Sequence, residues 1–219
     1  MKKLREHVLF LEGRYPAAHM DFYRKLCRGR YKVAVDGGYR FFRATSIVPD
    51  LLIGDFDSLK RQPQDLTGKT KVMTYPRDKN QTDAELALNH SLENGATVID
   101  IVQPSVGELD HFTANLLLLG MKDRGKVVAE QAEIRIISHL GEILLLKDER
   151  RIIRGRVGDI VSVLPLSASI SLSCTGVEFE ARNLKIKRGE TAGCRNRMVG
   201  KQARFQVKGE AFLFHSFGG

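Results

Sequence analysis

Residues 51–59 read LLIGDFDSL, and this stretch decides how the first part of the chain is interpreted. An apolar run leads to Gly54, and two carboxylates follow one residue apart, Asp55 and Asp57. In an extended backbone alternate side chains point the same way, so these carboxylates are expected to lie close together and to repel each other. The stretch therefore predicts a strand whose end presents negative charge to a bound cation.

Short apolar segments alternate with helix-like segments on both sides of this stretch. The expected strands are VLFL, YKVAV, LLI, KVMTY and VIDIV, and the expected helices are residues 16–27, a short helix near Arg40, residues 83–94, and His111 to about Arg124. Strands that alternate with helices are typical of a parallel sheet covered on both faces. The first part of the chain, residues 1–128, is therefore expected to be an α/β domain.

After Gly125 the pattern changes to short β-rich segments separated by glycines, charged residues or turn signals. These segments are IRIIS, EILLL, DIVSVLPL, ISLSC, ARFQV and AFLFH. Such a series favours an all-β second domain, residues 129–219, with a sandwich as the expected arrangement.

Composition places the chain among ordinary globular proteins. It has 219 residues, of which 42% are hydrophobic, enough for at least one core. Cys27, Cys174 and Cys194 are odd in number and widely spaced, which predicts reduced thiols in a cytoplasmic protein. The longest apolar segment is far shorter than the ~20 residues of a membrane helix, so no membrane partner is expected.

The chain is basic, with a net charge of +9 and a pI near 9.6. Residues 148–219 hold thirteen Lys and Arg against seven Asp and Glu, so this segment carries +6 of the total. Such a surface is compatible with nucleic acid, an anionic membrane or phosphorylated small molecules. It is equally compatible with a solvated face that binds nothing.

Acidic residues follow several of the expected strands. They are Asp36 after YKVAV, Asp55 and Asp57 after LLI, Asp83 after KVMTY, and Asp110 after VIDIV. Each one alone can be explained as a turn or helix-cap residue. Together they are expected at one rim of a parallel sheet, where such sheets bind ligands. Clustered carboxylates without His or Cys suit Mg²⁺, which typically bridges phosphate oxygens.

Two glycines directly follow the first of these acids. Gly37 and Gly38 would let backbone N–H groups approach a phosphate chain without side-chain obstruction. The chain contains neither a GxxxxGK[ST] loop nor a GxGxxG fingerprint. A bound nucleotide would therefore be held by neither of those two phosphate cradles.

Four segments in this order and spacing resemble the thiamin pyrophosphokinase (thiamin diphosphokinase) family. They are VDGGYRFF, PDLLIGDFDSL, NQTDAELAL and GELDHFTANLLLL, and the resemblance runs from about Val33 to Asn115 and more weakly to Asn196. It implies an α/β nucleotide domain followed by a β-sandwich, and a homodimer. It also implies that the diphosphate of ATP is transferred, with Mg²⁺, to the hydroxyl of thiamin, giving thiamin diphosphate and AMP.

The resemblance implies roles for individual residues. Metal ligands would be Asp55, Asp57 and Asp83, with Asp36 beside the metal. The phosphate path would be lined by Gly37, Gly38, Ser58 and Thr82, and the position of Lys79 beside the metal loop makes it a further phosphate ligand. The thiamin side would hold Asp110, His111 and Asn196. An aspartate, Asp36 or Asp110, would take the hydroxyl proton.

The sequence departs from the family pattern at four points. Asn80 stands where an aspartate is usual, Glu108 where an arginine is usual, and Arg195 where a serine is usual; the chain also has no tryptophan. Three of these departures fall on the acceptor side, which leaves open another alcohol as the acceptor. A non-catalytic polyanion-binding module is also open, although no RNA-binding aromatic or GXXG pattern supports nucleic acid.

Overall fold

The computed structural model describes residues 5–59, 63, 66, 68–120 and 132–218. The chain divides into two compact units, residues 1–139 and residues 140–219, called here the first and second units. The domain boundary expected between residues 128 and 129 and the helix end expected near Arg124 both lie outside the described residues.

The first unit is built on a parallel sheet. Its strands are β1 (Glu6–Phe10), β2 (Tyr31–Val35), β3 (Leu51–Gly54), β4 (Lys71–Thr74), β5 (Val98–Val102) and β6 (Glu133–Ser138). They lie in the order β6-β5-β1-β2-β3-β4, and every neighbouring pair is parallel. The prediction of an α/β arrangement with a parallel sheet is confirmed. Strand β6, which the sequence pattern grouped with the β-rich segments, pairs with β5 in this sheet.

Helices connect these strands. They are α1 (Met20–Leu26), α2 (Tyr39–Thr45), α3 (Asp83–Glu93) and α4 (Leu109–Leu118). Helix α3 begins where the sequence predicts, because the Thr82 side chain accepts a hydrogen bond from the backbone N–H of Glu85 at 3.2 Å. No helix in the described part of the chain is long and apolar enough to cross a bilayer.

Strand β5 contains a buried charge that its apolar pattern did not indicate. Asp100 is fully buried, and its carboxylate accepts hydrogen bonds from Arg135 on β6 at 2.6 and 3.0 Å. Arg30, just before β2, forms a third contact with the same carboxylate. Since an uncompensated buried carboxylate costs several kcal/mol, these arginines make Asp100 tolerable inside the sheet.

Among its described residues, the second unit contains strands and turns but no helix. Its strands are β7 (Gly141–Lys147), β8 (Arg150–Arg154), β9 (Ile160–Pro165), β10 (Ser169–Thr175), β11 (Ala181–Lys187), β12 (Asn196–Arg197), β13 (Gln202–Lys208) and β14 (Glu210–Ser216). Two antiparallel groups form, β12-β9-β14-β7 and β11-β10-β13-β8. Inward side chains of both groups share one core that includes Val163, Leu172 and Phe205, so the prediction of a β-rich second part is confirmed, and its strands are antiparallel.

A buried ionic network lies at the end of β14. His215 is 1% exposed, with Nδ1 at 3.2 Å from Glu142 Oε1 and Nε2 at 3.0 Å from Asp159 Oδ2. The Asp159 carboxylate also accepts hydrogen bonds from the backbone N–H groups of Arg156 and Gly218. Burial by itself lowers the pKa of a histidine, but the bonds to Glu142 and Asp159 outweigh it and raise the pKa of His215.

This network predicts a pH-dependent stability. Because the folded chain holds the His215 proton more tightly than the unfolded chain, the imidazolium stabilises the fold fully below the ordinary pKa of 6.5, and the stabilisation is lost as pH rises through the higher folded pKa. The difference in unfolding free energy between the wild type and His215→Gln should therefore shrink from acidic to alkaline pH. Denaturant titrations across this range measure it, and a difference that grows with pH would contradict the network.

Candidate active site

The loop after β3 places two carboxylates side by side by a turn. Phe56 has a φ of +64° and is buried at 3% exposure, so the chain is left-handed between Asp55 and Asp57. The backbone N–H of Asp57 donates to Asp55 Oδ1 at 3.1 Å. The expected extended backbone is therefore wrong: the backbone turns at Phe56, whose ring packs in the core of the first unit.

Asp36 reaches the same place from the end of β2. It lies in a short 3₁₀ turn, Asp36–Gly38, with a φ of +42°, and it is 8% exposed. A left-handed, non-glycine residue that is buried beside other acids is the kind of backbone strain found at functional sites. The approach depends on Gly54, since a Cβ added there would lie 3.0 Å from the Cβ of Asp36.

The carboxylates that follow β2 and β3 form one group, which is called here the acidic group and contains one carboxylate oxygen without a hydrogen-bond partner. Asp36, Asp55 and Asp57 can each offer a carboxylate oxygen such that all three oxygens lie within 4.8 Å of one another. Their exposure increases from Asp36, which is buried, to Asp57, whose side chain is 48% exposed. Asp36 Oδ1 is buried without a hydrogen-bond partner. A hard divalent cation fits this donor set, because it would satisfy that oxygen and offset the mutual repulsion.

Asp83 lies outside this group of three and is joined to it through a lysine. Lys79 Nζ lies 3.1 Å from Asp55 Oδ2 and 3.1 Å from Asp83 Oδ1. Asp83 begins α3, so the helix fixes its position one residue after the cap Thr82. The sequence predicted Asp83 and Lys79 at this rim, but not the ion pair that links them.

The pKa values differ within the site because burial and partners differ. Burial raises the pKa of Asp36, and the nearby charges of Asp55 and Asp57 act in the same direction against hydrogen bonds from Ser58 and Gly37. Burial would also raise the pKa of Asp55, but the N–H of Asp57 and the ammonium of Lys79 hold it below its ordinary value.

Burial likewise raises the pKa of Asp83, although the Lys79 ammonium opposes this effect. Negative charge is therefore concentrated on Asp55, while Asp36 and Asp83 are the more basic carboxylates. The pKa of Asp55 is the lowered one because Asp55 contacts both the Lys79 ammonium and the backbone N–H of Asp57.

The residues predicted to line a phosphate path have close contacts within the first unit. A Cβ on Gly37 would collide with the Glu12 carboxylate, and a Cβ on Gly38 would overlap the backbone carbonyl of Phe10. Gly38 therefore has no room for a side chain beside the end of β1, whereas the flexible Glu12 side chain can move away from a Cβ at Gly37. The Ser58 hydroxyl donates to Asp57 Oδ1 at 3.4 Å, which places it at the exposed side of the acidic group.

Arg40 is a residue that the sequence interpretation left without a role. Its guanidinium pairs with Glu12 and donates a hydrogen bond to the backbone carbonyl of Ser58. It thereby ties the loop after β3 to the chain that follows β1. Its position in the first turn of α2, just after Asp36–Gly38, is the sequence feature that could have indicated a place near the acids.

The predicted acceptor residues of the first unit lie at the start of α4. Asp110 Oδ1 accepts from the backbone N–H of His111 at 2.9 Å, and His111 Nε2 lies 3.6 Å from Glu108 Oε2. All three side chains are exposed. Glu108, which stands where the family usually has an arginine, thus pairs with the imidazole next to Asp110.

Asn196 lies in the second unit, on β12, and both ends of its amide form hydrogen bonds with backbone. Its Oδ1 accepts from the N–H of Phe179 at 3.0 Å and from that of Arg197 at 2.9 Å, and its Nδ2 donates to the Phe179 carbonyl at 2.7 Å. Phe179 is held there with 69% of its surface exposed. A cavity of about 170 Å³, lined by residues that include Phe179, Glu180, Cys194 and Asn196, opens beside this pair.

Fold and site together define a class of protein. It has an α/β unit with a cluster of aspartates at the carboxyl ends of its parallel strands, and an antiparallel β unit follows along the chain. A family model described as "Thiamin pyrophosphokinase, catalytic domain" matches residues 23–129. A curated relative, thiamine pyrophosphokinase from Bacillus subtilis (strain 168), is 30% identical over 192 residues, or 84% of this chain and 86% of the relative. The chain belongs to the thiamin pyrophosphokinase family.

Solved structures agree with this assignment. The crystal structure of thiamine pyrophosphokinase from Bacillus subtilis has a TM-score of 0.78 and 25% identity, covering 97% of this chain and 98% of that one. Thiamin pyrophosphokinase from Candida albicans has a TM-score of 0.75 at 16% identity, covering 98% and 90%, and so supports the fold. The family resemblance found in the motifs is confirmed.

Proposed function

We propose that this protein is a Mg²⁺-dependent thiamin diphosphokinase, which transfers the diphosphate of ATP to the hydroxyl of thiamin and releases AMP. The observation that carries the proposal is the convergence of Asp36, Asp55 and Asp57 on one point, with a buried and unpartnered oxygen on Asp36. Membership of the thiamin pyrophosphokinase family supplies the reaction class.

The metal would be held by Asp36, Asp55 and Asp57. Asp83 lies close enough to be a further ligand, since Lys79 contacts both Asp55 and Asp83. A bound Mg²⁺ would neutralise charge on the triphosphate and orient its phosphate oxygens. The chain itself contributes fixed positions: the turn at the buried Phe56 places Asp55 beside Asp57, and Gly54 admits Asp36. Catalysis would then consist mainly of positioning and charge neutralisation.

Cationic side chains next to the acids would receive the phosphates. Lys79 is partly buried against Asp55 and Asp83, and Arg77 is exposed with its Nε at 3.4 Å from Asp57 Oδ2. Asp36 and Asp110 are the two candidates for taking the hydroxyl proton. They differ in setting, because Asp36 is buried within the acidic group and Asp110 is exposed at the start of α4.

The acceptor side of the proposal is assigned to Asp110 and His111 in the first unit and to Asn196 in the second. Asn196 would act by holding Phe179 in place, since its amide is committed to that backbone. The proposal includes the homodimer that the resemblance implies, a cytoplasmic location, the first unit as the nucleotide part, and the second unit as a β-sandwich for thiamin binding and dimerisation. Light scattering of the purified protein measures the dimer directly.

Arg195 provides a prediction about the acceptor. Its side chain is exposed directly before Asn196, and its charge would repel the thiazolium cation of thiamin. Arg195→Ser should therefore lower the KM for thiamin by about threefold to tenfold with little change in kcat, which corresponds to roughly 1 kcal/mol. Arg182→Ser, at an exposed arginine on β11, is the matched control. An unchanged or higher KM in Arg195→Ser would contradict this placement.

The proposed function is tested by AMP release from Mg²⁺-ATP with and without thiamin. Thiamin-dependent AMP, together with thiamin diphosphate in the product, is the expected result. AMP release that does not depend on thiamin but does depend on another alcohol would show a different acceptor. The contact of Glu108 with His111, next to Asp110, would then be a candidate cause of the changed specificity. No AMP release under any of these conditions would refute the transferase proposal.

A further inference from the structure

Lys79 places its ammonium group between Asp55, which belongs to the proposed metal site, and Asp83, which lies beside that site. Its Nζ lies 3.1 Å from an oxygen of each, Asp55 and Asp83. The three side chains are 15%, 12% and 17% exposed, so this arrangement differs from the exposed ion pairs that contribute little. The ammonium group therefore supplies Asp83 with a positive charge from within the chain.

Asp55 belongs to both arrangements. Its Oδ1 accepts the N–H of Asp57 within the group of three acids, while its Oδ2 contacts Lys79. A divalent cation bound by Asp55 would lie close to the ammonium, and two positive charges a few ångströms apart repel each other even with water screening. Metal and ammonium therefore compete for the same carboxylates unless a further negative charge is present.

We propose that Lys79 is an internal counter-cation that neutralises Asp55 and Asp83 before the metal binds, and that transfers to the phosphates of the nucleotide when the metal enters. The inference rests on the proposed function, because it takes a nucleotide phosphate as the second partner. Lysine suits such a role, since its charge is compact and its four-carbon stem is flexible. The result is that metal and nucleotide each strengthen the binding of the other.

The proposal is tested by metal affinity without turnover. Mn²⁺ is titrated into the full chain and followed by electron paramagnetic resonance, first alone and then with α,β-methylene-ATP, whose bond cannot be cleaved by this transfer. Lys79→Met should bind Mn²⁺ alone about tenfold more tightly than the wild type. It should also bind the nucleotide analogue more weakly at saturating Mn²⁺, so that the mutual strengthening is largely lost.

Two further variants make the result specific. Lys32→Met removes a lysine of the same unit whose Nζ lies 2.6 Å from Asp50 Oδ2, and it should leave Mn²⁺ affinity unchanged. Lys79→Gln removes the charge and keeps a hydrogen-bond donor, so it repeats the test if Lys79→Met does not fold. Equal or weaker Mn²⁺ binding in the folded Lys79 variants would overturn the proposal.

The outcome is separable from the proposed function. The Mn²⁺ titration contains no thiamin and requires no reaction. A protein that shows the Lys79 effect but forms no thiamin diphosphate refutes the proposed reaction alone, whereas a protein that forms the product and lacks the effect refutes the counter-cation alone.

Discussion

Asp57→Asn is expected to lower the rate of diphosphate transfer by roughly 100- to 1000-fold while the protein remains folded. The substitution removes one of three carboxylates that converge at the ends of β2 and β3. The Asp57 side chain is 48% exposed, and its partners are the Ser58 hydroxyl and the guanidinium of Arg77, both at 3.4 Å. Steady-state AMP release and thermal unfolding of the same preparation measure the two effects.

The matched control is Asp78→Asn, which changes the same charge at an exposed acid in the loop before α3. It should retain nearly full activity, because Asp78 is not part of the acidic group. Near-wild-type turnover in Asp57→Asn would exclude Asp57 as an essential ligand. Equal losses in both variants would indicate a general effect of charge and contradict a specific role.

Gly38→Ala is expected to destabilise the protein by about 2–3 kcal/mol and to disturb the acidic site with it. A Cβ at Gly38 would overlap the carbonyl group of Phe10, which is backbone and cannot rotate away. Phe10 is in turn fixed between Ala34 on β2 and Val102 on β5. The turn that carries Asp36 would have to move, so both the midpoint of thermal unfolding and turnover should fall.

Gly68→Ala is the control for this steric argument, since a Cβ at Gly68 would meet no atom within 4 Å. Its unfolding temperature should match that of the wild type, while that of Gly38→Ala should fall by roughly 4–12 °C. If both variants unfold at the wild-type temperature, the close packing of the Asp36–Gly38 turn against β1 is wrong.

Local patterns were sufficient for much of the first unit. The apolar runs gave its early strands, and the cap at Thr82 gave the start of α3, because these features depend on neighbours a few residues apart. A parallel sheet then follows, and with it the meeting of Asp36 with Asp55 and Asp57 at one rim, although the order of the strands does not.

What the sequence could not provide depends on tertiary contacts. The left-handed backbone at Phe56 accompanies burial of its ring in the core, whereas aromatic residues are enriched in extended strands. The contact of Arg30 with Asp100 joins residues 70 positions apart and arises only when β5 lies in the sheet. The bridge from Lys79 to Asp55 likewise requires the folded loop, as no spacing rule joins them.

The acceptor side shows the same limit. Family motifs drew attention to Asn196, but its hydrogen bonds to the Phe179 backbone appear only when β12 and the segment before β11 are folded together. An exposed phenylalanine in a sequence usually carries no signal, because single exposed apolar residues are common. Its fixed position beside a cavity is what makes it a candidate contact for the acceptor.

The most direct measurement is the fate of the phosphoryl groups of ATP labelled with ¹⁸O at the nonbridging oxygens of the β- and γ-phosphates, incubated with thiamin, Mg²⁺ and the purified protein. Mass spectrometry is predicted to find the label in thiamin diphosphate and unlabelled AMP in equal amount. Label that appears in free phosphate or diphosphate, with thiamin recovered unchanged, would contradict the account.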